Sequence, residues 1–195
     1  MPADLALCNE ALHRIGEAPL QSLDDGSDIA ASCLALYDTT INALLASHPW
    51  RRTMHKVQLS RLTDAPLTEW TYQHALPADL IALRQVVTSA AIGAPPLLEY
   101  EMFEGRILSH APDLWCDYQR QTPPATWPPG LRRAARLTLA ADLAMAVTGS
   151  VNLADALRRE AEAAAAEARR LDSQQQPPQA ITDFPLLAAR FGGRA

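Results

Sequence analysis

Few side chains in this 195-residue chain have the type and spacing to do chemistry. His74 and Cys116 form one candidate pair, because an imidazole beside a thiol can serve as base to a nucleophile. Each also fits as an ordinary strand residue. Asp24, Asp25 and Asp28 surround Gly26 and offer oxygens to a calcium ion. A helix–loop–helix calcium loop needs a glutamate at its twelfth position, and counting from Asp24 that position is Ala35. A solvated turn that caps a helix accounts for the cluster more simply. The five histidines, His13, His48, His55, His74 and His110, are scattered without metal-ligand spacing. Cys8, Cys33 and Cys116 make no C-x-x-C pair and read as reduced, packed thiols. Phosphate loops, dinucleotide fingerprints, nucleophile elbows and zinc-protease helices have no match. The sequence therefore predicts no catalytic residue, no metal site and no cofactor.

The remaining polar and aromatic residues point to contacts rather than reactions. Trp50, Trp70, Trp115 and Trp127 are too dispersed for a nucleic-acid stacking platform. Trp50, Trp70, Tyr72 and Trp115 are predicted as core or subunit-contact residues. The pairs Arg132-Arg133, Arg158-Arg159 and Arg169-Arg170 have Glu160, Glu162 and Glu167 at helical spacing, which makes a solvated, ion-paired face. The chain carries a net charge of −5. That balance gives no general attraction to phosphates and argues against a DNA-binding regulator.

Helix formers dominate both ends of the chain and must position everything else. Helices are predicted over about 4–15, 28–47, 129–148 and 152–171. Leu5, Cys8, Leu12 and Ile15 recur at three- and four-residue steps, Gly16 suits a left-handed cap, and Pro19 prevents continuation. Ser27 is placed to cap the second helix, whose apolar face reads as Ala30, Leu34, Tyr37, Ile41, Leu44 and Leu45. His48-Pro49-Trp50 ends it. Between about 52 and 120 the period shortens and aromatic and β-branched residues appear, as around Trp70, Tyr72 and His74. This stretch reads as a small antiparallel β insertion. Four prolines in TPPATWPPG then deliver the chain to the alanine-rich third and fourth helices.

The predicted class is mainly α, a bundle of about four helices with that insertion and an extended C-terminal tail. One domain covers 1–172, and 173–195 is a linker followed by the tail. SQQQPPQ is linker-like in composition, whereas Phe184, Leu186, Leu187 and Phe191 restore apolar character in a piece too short to bury them alone. Such a tail has two destinations, a partner surface or its own helices. The opening residues lack a basic flank before an apolar run, and no uninterrupted apolar stretch approaches the ~20 residues of a membrane span. A soluble protein made in the cytoplasm is expected.

Four stretches taken in order resemble the head-to-tail adaptor family of tailed bacteriophages, the tail tubular protein A-like proteins. They are ALCNEALHRIGEAPLQSLDDGSDIAASCLALYD, the helix end LLASHPWRR, the aromatic strand and turn WTYQHALPADLIAL, and the alanine-rich helix pair after the prolines. The resemblance covers roughly 4–171. It implies a virion protein at the head–tail interface, present in the host cytoplasm during assembly and forming a ring of twelve subunits. The ring would sit beneath the portal protein, receive tail or nozzle proteins, and surround a channel through which double-stranded DNA passes without sequence-specific binding or membrane contact. The C-terminal segment, with Phe184, Leu186, Leu187, Arg190 and Phe191, would dock on the portal. A related reading is a head-completion connector of a long-tailed phage or gene-transfer particle. A small enzyme or a DNA-binding protein are the readings from other classes.

Overall fold

The computed structural model describes residues 3–91 and 93–175. Four helices are present: α1 Leu5–Ile15, α2 Asp28–Ala46, α3 Pro129–Leu143 and α4 Val151–Gln174. Seven strands lie between α2 and α3: β1 Met54–Gln58, β2 Ser60–Arg61, β3 Tyr72–Ala75, β4 Ala82–Val87, β5 Glu101–Phe103, β6 Arg106–Ser109 and β7 Trp115–Gln119. They form two antiparallel sheets, one of three strands in the order β1-β7-β4 and one of four in the order β2-β3-β6-β5.

That sheet content corrects the mainly α expectation. The fold is α+β, and the insertion is a unit with a core of its own. Leu59, Val86, Ile107, Leu114, Cys116 and Tyr118 are buried together and come from both sheets. The strands are only two to six residues long and half polar, so their apolar alternation is brief. Their pairing is also mostly non-local. β1 pairs with β7 from Met54↔Gln119 to Gln58↔Trp115, and β7 pairs with β4 on its other side. Neither ladder announces itself through a tight turn. Among the described residues only β5 and β6 form a two-residue hairpin, where Glu104 and Gly105 have φ values of 47° and 73°. Two successive positive φ values are the turn that matches the twist of a hairpin. The chain crosses from one sheet to the other at Leu59, whose N–H donates to the Leu114 carbonyl at 2.8 Å.

The helical core is larger. α3 lies centrally and packs against α1, α2 and α4. Its buried Ala134, Ala135, Ala140 and Ala141 share one core with Ala161, Ala164, Ala165 and Ala168 of α4, and small side chains allow close helix approach. Asp4 caps α1 by accepting from Leu7 N–H at 2.8 Å, and Gly16 ends it in the left-handed region at φ 84°. Ser27 caps α2 through Ala30 N–H. The buried face of α2 uses Cys33 and Thr40, while Leu34 is 47% exposed. Cys33 turns inward because Cys8 of α1 lies against it. α2 is long and apolar enough to cross a membrane by length and composition alone; here Tyr37, Ile41 and Leu45 pack into the helical core.

α3 widens into a π turn over Ala144–Thr148 before Gly149 breaks it. α4 starts one residue earlier than expected, capped by Ser150 rather than Asn152, and runs on to Gln174. Ser173 and Gln174, read as linker from composition, are therefore its last residues.

Candidate interaction surfaces

The buried joint between the helices and the three-stranded sheet fixes how each unit presents its surface. Gln119, fully buried on β7, donates through Nε2 to the His48 carbonyl and to Thr53 Oγ1, both at 2.8 Å. Its Oε1 accepts from the Arg84 guanidinium. Arg84 Nη2 also donates to the Ala46 carbonyl at 2.7 Å. A cation at the C-terminal end of α2 meets the negative end of the helix dipole and one of its unpaired carbonyls. The sheet is thereby fastened to the helix end that His-Pro-Trp terminates.

A second fastening holds the end of α4 at the same corner. Asp172 is buried, and both its carboxylate oxygens lie 3.3 Å from Arg51 N–H. His48 Nε2 is 3.3 Å from Asp172 Oδ2. Trp50 stands beside this clasp, 1% exposed, with its indole N–H donating to the Leu44 carbonyl at 3.1 Å. Trp50 is thus a core residue of the helical unit.

The other aromatic candidates lie elsewhere. Trp70 is half-buried, donates to Glu101 at 2.9 Å and tilts against His110 with ring centroids 4.9 Å apart. Tyr72 is half-buried on β3 under the Arg61 guanidinium, 5.3 Å from its ring centroid. Trp115 is half-buried on β7, opposite Gln58 and Val87. Phe184, Leu186, Leu187, Arg190 and Phe191 lie outside the described residues.

The chemical candidates sit on two strands, where they are buried, and in the turn before α2. His74 is on the four-stranded sheet and Cys116 on the three-stranded one. His74 Nε2 approaches the Pro112 carbonyl at 3.2 Å. Burial pushes the Cys116 thiol up to about 11, with nearby Asp117 adding to the shift. A thiol so raised is the wrong form for a nucleophile near neutral pH. Cys8 is also pushed up, by its hydrogen bond to Cys33 and by burial. Asp25 accepts from both the N–H and the hydroxyl of Ser27, at 2.9 and 2.6 Å, and those bonds hold its carboxyl below the usual range. The aspartate cluster thus shapes the turn into α2. Among the described residues no group of three metal-ligating side chains comes together.

Three of the six arginines in the predicted pairs, Arg132, Arg133 and Arg158, have carboxylate partners, and of these Arg133 alone reaches Glu160 and Glu167. Arg132 meets Glu10 at 2.5 Å, Arg133 lies 3.9 and 3.7 Å from Glu160 and Glu167, and Arg158 meets Asp155 at 3.2 Å. Arg14 of α1 reaches Glu160 at 2.6 Å, tying α1 to α4.

Exposed apolar side chains are scattered over the described residues, among them Leu67, Leu98 and Val151, and two apolar features have a shape that a partner could use. One is β5, the edge of the four-stranded sheet, where Met102 and Phe103 are 51% and 53% exposed on opposite faces of the strand. An edge strand offers unpaired backbone groups to another chain. Both residues fall within the predicted β insertion, but nothing in their spacing marks an edge strand. The other is a groove of about 330 Å³ between the start of α3 and the end of α4, beside Trp50. The arrangement suits recognition through backbone edges and apolar contact. No protein-family model matches this sequence, and no curated protein does.

Proposed function

We propose that this chain is a structural head-to-tail adaptor of a tailed bacteriophage. About twelve copies form a ring that docks beneath the portal protein and receives tail or nozzle proteins. DNA passes through the central channel without being read, and the protein works at the head–tail interface of the virion after assembly in the host cytoplasm. The observation that carries this reading is the pairing of two separately cored units across a buried polar joint. Each unit presents its own apolar feature, the β5 edge on one and the groove at the exit of the chain on the other. Such a body can hold two partners in fixed relation without chemistry.

In this reading the helical unit builds the ring, the β5 edge meets the tail, and Phe184, Leu186, Leu187, Arg190 and Phe191 enter the portal. Burying the four apolar side chains contributes on the order of 2 kcal/mol each. Ordering the segment costs roughly 2–5 kcal/mol. A single tail therefore binds weakly, and a ring of tails binds strongly through effective concentration. The order of assembly follows, with rings forming on a completed portal.

The test is electron microscopy of the full chain mixed with its portal, beside a chain ending at Gln175. A ring of added density only with the full chain is expected. Equal density with both forms would remove the tail from the contact, and none with either would remove the adaptor reading.

A further inference from the structure

The groove beside Trp50 lies where the described chain ends. Trp50, Pro129, Gly130, Ala168 and Leu171 line it, and Gln175 stands at its mouth. Its free space equals that of about ten waters at ~30 Å³ each. Gly130 packs closely on α4 at the floor, where an added Cβ would stand in van der Waals contact with Ala168, 3.4 Å from its Cβ. Leu171, 42% exposed, is an apolar side chain on the rim within the polar run RRLDSQQ. The Asp172 clasp to Arg51 and His48 fixes the last turns of α4 as one wall.

Twenty residues follow Gln175, and their uncharged apolar stretch is FPLLAA, between Asp183 and Arg190. Eight residues lie between Gln175 and Phe184, nine Cα steps in all. A chain of that length spans up to ~30 Å, ample to turn back over a groove whose mouth is its own starting point. Pro177-Pro178 falls within this connection and prevents α4 from simply continuing through it.

We infer that this groove is the resting seat of the Phe184–Leu187 segment of the same chain, which covers the tail's apolar anchors before assembly. Seat and occupant belong to one chain, so the inference stands whether or not the tail's eventual partner is a portal. The tether supplies an effective concentration in the millimolar range, so a weak apolar contact suffices to hold the segment and still lets a stronger partner take it.

Amide hydrogen exchange on the full chain tests this at two protein concentrations. Amides of 184–188 are expected to exchange about tenfold more slowly than in Leu171→Glu at both concentrations, since millimolar effective concentration supports protection of that order. No protection in the parent chain would overturn the inference. So would protection that survives Leu171→Glu, or protection that grows with concentration and so places the segment on a second copy. Phe184→Ser, which changes no residue of the folded body, gives a second reading should Leu171→Glu fail to fold. It is expected to speed exchange at 171–175, and unchanged exchange there would also overturn the inference.

Discussion

The helical unit and the β unit solve the same burial problem with different materials. The helices bury a continuous core in which alanines of α3 and α4 meet, and most of its packing is between neighbouring elements. The β unit buries six side chains between two short sheets, and its longest ladder joins residues as distant as Met54 and Gln119. Local contacts form at low entropic cost, whereas such distant pairing must close a long loop first. The α3–α4 pair is local, but α1 and α2 reach α3 only across the whole β insertion, so both units close long loops, and the sheets are in addition anchored to the helices. Gln119 and Arg84 supply that anchor at the end of α2.

The largest effect should come from the residue at the corner where both fastenings meet. Trp50→Ala removes a fully buried indole and is expected to cost about 3–5 kcal/mol in denaturant melts. A near-neutral result would break the claim that this corner organises the helical unit. Leu114→Ala, in the smaller core, should cost about 2–5 kcal/mol. Its effect should be confined, with faster hydrogen exchange in β4, β6 and β7 while α1 and α3 keep their protection. Uniform loss of protection in both units would mean that they unfold as one. Gln119→Ala leaves the His48 carbonyl, Thr53 and Arg84 short of partners, and a buried unmet group costs about 1–3 kcal/mol. That variant should loosen the β unit more than the helices, as two separated melting steps would show.

The same contrast explains what could be read from the sequence. Helix ends are written in single residues, so Gly16 and Ser27 gave the bounds of α1 and α2 before any coordinates. Apolar stripes were legible to within one position, and Leu34 misled because Cys33 finds Cys8 across the helix pair. An antiparallel β insertion is legible in the sequence, but its division into two sheets is not. Nothing in Met54–Gln58 names Trp115–Gln119 as its partner, so a two-sheet unit was read as a small insertion and the class as mainly α. Of the proposed interaction surfaces, the tail's apolar residues are visible in composition. The groove was not, since Trp50, Gly130 and Leu171 are brought together only by the packing of α3 on α4. The Asp172 clasp was hidden for the same reason, joining residues more than 120 positions apart.

The smallest effect concerns the thiols, and it separates structural burial from chemical use in both units at once. Cys8 and Cys33 lie in the helical core and Cys116 in the β core, all buried. Raising Cys116 from 9.0 to about 11 keeps it protonated in the fold. Between those values the unfolded chain has lost the proton that the native chain retains, so the unfolded state binds fewer protons. Stability then falls as pH rises from 9 towards 11, and this contribution is intact below 9. At pH 8 a thiol-reactive dye should modify none of the three cysteines in the native protein and all three in denaturant. Reaction of Cys116 alone under native conditions would show that the β unit opens independently of the helices, sharpening the difference between the two cores. Fast reaction with the fold intact would instead restore Cys116 as a nucleophile and weaken the case for a purely structural protein.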